Sequence, residues 1–402
     1  MTRKIPYDPF SPEVMADPLE IYRELRQSYR AFPMPQYDSW ALPRFDDVWE
    51  VSRDRERFSI VEGPVSHRDR LLVRNDGPPD RRLGDPFPSF STVDPPVHTT
   101  LRNAIVDPFR PGPINAQAET VRAQVRALLD ELVPRRRFDV ARDFVAPVAM
   151  TATLRLLGLP TADGERYVDL VNTFVRRDPG RPGISERGAV AMAELAAAVR
   201  ADVVAAPDAD PSTIIGRLRC LDIDGRRLTD TDVTAQLTTM IIGGAETLPK
   251  VIGGGVWSLA HALEQRAALV ADPDRIPAAF EEILRYHIPL QWGARTLLED
   301  AVVAGTAMRA DERVFMLYVS ANRDEREFTE PDRFDVSRPM PRHLGFGHGV
   351  HFCIGAHAAR LEGIVLLEEL LARVPEYVVD EAGVERAESE FQIGFTRMPI
   401  SF

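Results

Sequence analysis

Residues 345–355 of this 402-residue chain read GFGHGVHFCIG, and a strongly helical run, AHAARLEGIVLLEELLARV, follows at once. Four glycines, two histidines, two phenylalanines and one of the chain's two cysteines fall in those eleven residues. Glycine lets a backbone approach another surface closely and adopt positive φ without strain. The first turn of the following helix presents free N–H groups, which favour negative charge. A thiolate is such a charge, and that setting lowers a cysteine's pKa. The loop therefore suits Cys353 as an anion, used as a nucleophile or as a metal ligand. A merely buried structural thiol, the usual state of a free cysteine, needs none of these glycines.

A zinc site needs several Cys or His ligands at finger-like spacing, and only Cys353, His348, His351 and His357 cluster here. A cysteine-nucleophile enzyme needs a partner histidine held by Asn or Asp. No such signature stands out, although a haem-free enzyme of that kind stays among the rivals. A single thiolate ligand to haem iron needs one cysteine, because the porphyrin supplies the other four ligands. A flat macrocycle laid on the loop needs glycine for clearance, with Phe346 and Phe352 beside it.

The composition, 44% hydrophobic and 27% charged, is that of a soluble globular protein with ample core material. A net charge of −12 argues against general nucleic-acid binding, which needs a basic face. Of 49 basic residues, only Lys4 and Lys250 are lysine. Cys220 and Cys353 make no disulfide framework. The N-terminus, MTRKIPYDPFSPEVM, has no apolar run of signal length, and no window offers a membrane span. The expectation is a cytoplasmic, reduced protein.

Residues 17–29 show helical periodicity, 31–45 read as a strand hairpin with turn prolines, and FDDVWEVSRDRERF as a helix. Residues 59–93 are Gly-, Pro- and Arg-rich with little periodicity, and loops of that length are usually functional or disordered. Helical patterns dominate from 98 to 290. Short strands follow over RTLLEDAVVAGTAMRADERVFMLYVSANR, then the proline-rich TEPDRFDVSRPMPRH, the cysteine loop and its helix, and a tail of strands and turns. The fold class is mainly α with small β-sheets. Residues 1–402 read as a single domain, β-richer over about 30–60 and α-rich over about 95–290 and 355–375.

The loop Phe346-Gly-His-Gly349-Val-His-Phe-Cys353-Ile-Gly355 resembles the haem loop of the cytochrome P450 family in its soluble bacterial form. Four further motifs stand in that family's order, so the resemblance covers nearly the whole chain. Glu282-Ile-Leu-Arg285 matches Glu-x-x-Arg, and Arg333 in Pro331-Asp-Arg-Phe334 matches the arginine expected to complete a buried Glu282–Arg285–Arg333 network. Gly243-Gly244-Ala-Glu246-Thr247 resembles the oxygen-activation segment of the distal helix. The glycine pair is locally unfavourable there, and threonine bonds back to a carbonyl and bends a helix. Asp94-Pro-Pro-Val-His98-Thr-Thr-Leu-Arg102 puts two cationic donors on one helical face, suited to a propionate. Arg295 and His351 match further propionate contacts. The sequence departs from the common pattern at Pro249, inside the distal helix, followed by Lys250 and Gly253-Gly254-Gly255.

The resemblance implies a triangular prism-like fold with haem b between a long distal helix and the cysteine helix. Cys353 is the implied thiolate ligand. His98, Arg102, Arg295, His351, Phe346, Gly347, Gly355 and Gly244 are the implied haem contacts. Thr247 is implied to hydrogen-bond dioxygen, and Glu246 to feed it protons through water. The implied enzyme is a monooxygenase that hydroxylates, epoxidises or dealkylates a small, largely apolar organic substrate using O2. It is expected to act as a monomer, fed by a ferredoxin and an NAD(P)H-dependent ferredoxin reductase. The pocket is expected around residues 59–93 and 165–185, Met240, Gly243, Leu290, Trp292, Ala294 and Ile393, with Trp292 either narrowing the pocket or packing in the core. Arginines 68, 70, 74, 81 and 82 either greet an anionic substrate or sit on a solvated loop. Rival readings are a thiolate-haem peroxygenase or isomerase and a non-catalytic haem sensor.

Overall fold

A computed structural model describes residues 5–73, 87–206 and 210–402. The principal helices are α1 (Leu19–Ser28), α2 (Phe45–Arg53), α3 (Val97–Ile105), α4 (Ala118–Leu132), α5 (Ala146–Leu157), α6 (Gly164–Val175), α7 (Glu186–Ala205), α8 (Asp230–His261), α9 (Ile276–Tyr286) and α10 (Ala356–Arg373). Strands β1 (Phe32–Met34), β2 (Ser39–Leu42), β3 (Phe58–Ser59), β4 (Gly293–Leu297) and β5 (Arg313–Met316) form one sheet in the order β1-β2-β5-β4-β3. The remaining sheets have two or three strands each.

The expected hairpin over 31–45 is the antiparallel β1–β2 pair, and the expected helix after it is α2. Strand β5 lies parallel to β2 and antiparallel to β4, with Val314 opposite Arg295. That register fixes where Arg295 sits.

Helix α8 is the axis of the molecule. Thr229 and Asp232 close a capping box at its start. The helix then runs 32 residues, largely buried, against α5, α6, α7 and α9. It is continuous through Gly243-Gly244 and through Pro249. Helix α10 packs on α4 and α9. One apolar cluster gathers α4, the second half of α8, α9 and α10. A second lies under the five-stranded sheet, and a third under α3, α5, α6, α7 and the first half of α8.

Candidate active site

The cysteine loop folds back on itself, with Cys353 N–H donating to Phe346 O at 3.0 Å. Gly347 (φ 68°) and Gly349 (φ 77°) hold the left-handed turns this requires. A Cβ at Gly349 would lie 2.0 Å from Ser52 O, so this glycine also seats the loop on the end of α2. His348 stacks on Trp49 with centroids 3.5 Å apart. Phe346 meets Phe352 edge-on and carries the Arg360 guanidinium over its ring. Arg360 is in turn held by Glu281.

Cys353 is exposed although protein surrounds it on all sides. That combination marks a side chain facing an internal cavity. Burial pushes its thiol up, and the Gly355 N–H, Arg102 and Arg360 offset this only in part. Desolvation therefore outweighs the pull of the helix start on this thiol. A bound cation is what makes a thiolate stable at such a position.

Facing the same loop, His98 on α3 is buried, and neither of its ring nitrogens has a hydrogen-bond partner among the described residues. Its ring centroid lies 4.3 Å from that of His351. One turn further along α3, Arg102 donates to Phe352 O at 2.7 Å. Arg295, buried on β4, donates to Ala294 O at 2.8 Å. Neither Arg102 nor Arg295 has a carboxylate within ion-pair distance among the described residues. Burial, then Arg295, His98 and Arg102, pushes His351 down to about 2. Burial and Arg102 push His98 down to about 4, against the opposing Asp94 carboxylate. Four cationic or potentially cationic groups thus converge beside a cavity-facing thiol, with the Asp94 carboxylate acting on His98 and Arg295 from beyond ion-pair distance. Two buried, partnerless imidazole nitrogens are costly unless something fills them. A haem with its propionates fits this set.

On α8, Gly243 and Thr247 are accessible positions one turn apart, with Ala245, Glu246 and Leu248 buried around them. A Cβ on Gly243 would meet nothing within 4 Å, whereas one on Gly244 would lie 2.1 Å from Thr153 Oγ1. Gly244, expected beside the cofactor, therefore serves the contact of α8 with α5, and Gly243 is the one that opens onto space. Thr247 Oγ1 donates to Gly243 O at 2.9 Å, leaving its lone pairs for the cavity. Glu246 points elsewhere. It is buried and ion-paired with Lys250 on the next turn.

The other expected positions sort as follows. Leu290 and Ile393 are partly accessible and lie together, Ile393 N–H donating to Pro289 O at 2.9 Å. Met240 is buried in the third apolar cluster. Trp292 belongs to the core: it is 1% exposed, meets Phe10 edge-on and donates through Nε1 to Glu390 O. Ala294 is fully buried in β4, closed off from the cavity. Arg68 lies near Tyr37 and starts a short helix that includes Arg70, and the arginines at 74, 81 and 82 fall outside the described residues. From the 165–185 region, Arg177 forms a buried 2.9 Å ion pair with Glu390.

The network behind the cysteine needs correcting. Arg285 grips Glu282 with two bonds, 2.7 and 2.8 Å. The second arginine on Glu282 is Arg338, at 3.2 Å and 7% exposed, not Arg333. Arg333 is 64% exposed and faces Glu330. The turn at 331–335 sends Arg333 to solvent and brings Asp335 N–H onto Glu282 at 2.9 Å. Arg338 follows in the same proline-rich segment and folds inward, also donating to the carbonyls of Glu330 and Arg333. The sequence match points to Arg333 alone; the turn puts Arg338 in its place.

A family model described as Cytochrome P450 matches residues 275–399. Putative cytochrome P450 123 of Mycobacterium tuberculosis is 32% identical over 398 residues, covering 98% of this chain and 96% of that protein. Erythromycin C-12 hydroxylase of Saccharopolyspora erythraea is 34% identical over 357 residues, covering 86% and 84%. The structure of a mutant of P450 EryK in complex with erythromycin B superposes with a TM-score of 0.83 at 31% identity, covering 97% of each chain.

Proposed function

This chain belongs to the cytochrome P450 family, and on that premise we propose that Cys353 is its axial thiolate, that His98, Arg102, Arg295 and His351 hold the haem propionates, and that Thr247 and Glu246 manage protons. The enzyme is a haem-thiolate monooxygenase. Haem held by a cysteine thiolate supplies reductive activation of dioxygen, with electron donation from sulfur favouring O–O cleavage. The observation that carries the residue assignment is the convergence of His98, His351, Arg102 and Arg295, without a carboxylate partner, on the cavity that Cys353 faces.

Each residue then has a task that follows from its position. Arg102 and Arg295 neutralise carboxylates in a site where burial makes an unpaired guanidinium unfavourable. His98, held neutral by burial and Arg102, and His351, held neutral by burial, Arg295, His98 and Arg102, become donors once an anion stands beside them. Gly347 and Gly355 keep the loop thin against the ring, and Phe346 and Phe352 wall the sulfur from water. Thr247 keeps its hydroxyl at the cavity by bonding Gly243 O. Leu290, Ile393 and Gly243 line the space left for an apolar organic substrate, with Met240 behind them.

Two electrons come from a partner, proposed to be a ferredoxin served by an NAD(P)H-dependent reductase. Arg53 and Arg342 flank His348 in the cysteine loop and suit an acidic donor. No described helix is long and apolar enough to cross a membrane. The proposed setting is a monomer in the cytoplasm. The test is turnover with a ferredoxin pair and a substrate found by its shift of the haem spin state. Thr247→Ala is expected to keep consuming NAD(P)H while releasing hydrogen peroxide instead of product. Intact coupling in that variant refutes the assignment of Thr247.

A further inference from the structure

The chain uses arginine almost everywhere, yet the single lysine among its described residues, Lys250, is buried and ion-paired with Glu246. Lys250 Nζ also reaches Glu246 O at 3.2 Å. Its stem is clamped by Gly394, whose φ of 123° permits a contact so close that a Cβ there would lie 2.9 Å from Lys250 Cβ. The pair is not sealed in the core. It forms part of the lining of a crevice of about 1210 Å³, shared with Arg142, Asp143, Asp169 and Asn172. Those four are exposed, so the crevice leads from solvent to Lys250 and Glu246, on a side of α8 that does not include Thr247. The other buried cation there, Arg177, is engaged by Glu390, and Arg142 is engaged by Glu385.

We infer that Lys250 is a proton-relay residue acting through Glu246, with the crevice as the entry for solvent protons. The inference rests on the proposed role of Glu246 and Thr247. In each relay step an Nζ–H bond of Lys250 breaks and an Oε–H bond of Glu246 forms. The electron pair stays on Nζ, which takes a new proton from crevice water. The Glu246 carboxyl, turning from the crevice side of α8, breaks its Oε–H bond to protonate Thr247 Oγ1, which passes its own hydroxyl proton on into the cavity. An ammonium can do this and a guanidinium cannot, because arginine does not release its proton in proteins. A counter-ion alone needs no such chemistry, and arginine, which this chain favours, would serve.

The test uses the holoenzyme with its electron donors. Lys250→Arg keeps the charge and is expected to lower kcat by about 10²-fold, with a normal carbon-monoxide spectrum. Lys250→Ala is expected to regain turnover with methylammonium but not with tetramethylammonium, which carries charge without a transferable proton. Wild-type turnover in Lys250→Arg, or equal rescue by both cations, reduces Lys250 to a counter-charge and overturns the inference. Apart from turnover, the ferrous carbon-monoxide form labelled with [13C]lysine carries signals from Lys4 and Lys250 alone. The Lys250 Cε resonance is expected to move in Glu246→Gln, and an unmoved resonance overturns the pairing. Absence of a thiolate-type carbon-monoxide band in the unsubstituted protein would instead remove the reading beneath the inference.

Discussion

Replacing Arg338 with methionine is expected to weaken the fold, and the same change at Arg333 to leave it nearly untouched. Arg338 is 7% exposed against Glu282 at 1%, with Nε 3.2 Å from the carboxylate and its other nitrogens on backbone carbonyls. Breaking a buried ion pair by removing one partner costs about 3–5 kcal/mol. Glu282 keeps its two bonds from Arg285 and one from Asp335 N–H, which sets the loss near the lower end, about 3 kcal/mol. Arg333 and Glu330 are 64% and 66% exposed, and such pairs contribute about 0–1 kcal/mol. For 402 residues the unfolding entropy is about 0.8 kcal/mol/K, so Arg338→Met lowers Tm by about 3–4 °C and Arg333→Met by at most about 1 °C. The assay is loss of the carbon-monoxide band and of far-ultraviolet dichroism on heating, for both variants at equal haem content. A larger drop in Arg333→Met than in Arg338→Met refutes the assignment of the network.

Other outcomes follow from the same geometry. Gly244→Ala forces a Cβ into Thr153 and is expected to cost about 1–3 kcal/mol, while Gly243→Ala, with open space before it, keeps stability and changes substrate binding instead; urea unfolding and spin-state titration separate the two. Burial pushes the Glu281 carboxyl up, but hydrogen bonds from His343 and Arg360 outweigh it and hold the group at about 2. Its folded value lies below its unfolded one, so this stability is present above about pH 4.5 and is lost as pH falls toward 2. Glu281→Gln is expected to lose stability at pH 7 and to differ little from the parent near pH 2, read by acid unfolding. Arg102→Leu removes a buried cation beside the cysteine loop and is expected to speed haem transfer to apomyoglobin.

The parts of this site legible in the sequence are local ones. A glycine-flanked cysteine before a helix, a Glu-x-x-Arg pair on one helical face, and His98 four residues before Arg102 carry their geometry in their spacing. The long helix was legible through its apolar periodicity despite Pro249. What spacing could not supply was direction. Gly243 and Gly244 are neighbours in sequence, yet one faces the cavity and the other α5. Trp292 lies three residues before Arg295 but turns into the core against Phe10 and Phe315. Arg333 and Arg338 differ only in which side of a turn they leave. Glu246 and Lys250 do stand at the i,i+4 spacing that favours a pair.

The axial bond to Cys353 is tested most directly by the spectrum of the reduced, carbon-monoxide-bound protein beside that of Cys353→Ser. A strongly red-shifted Soret band in the parent, absent in the variant, is the expected result. A folded, haem-loaded parent without that band, or a variant that keeps it, contradicts the account.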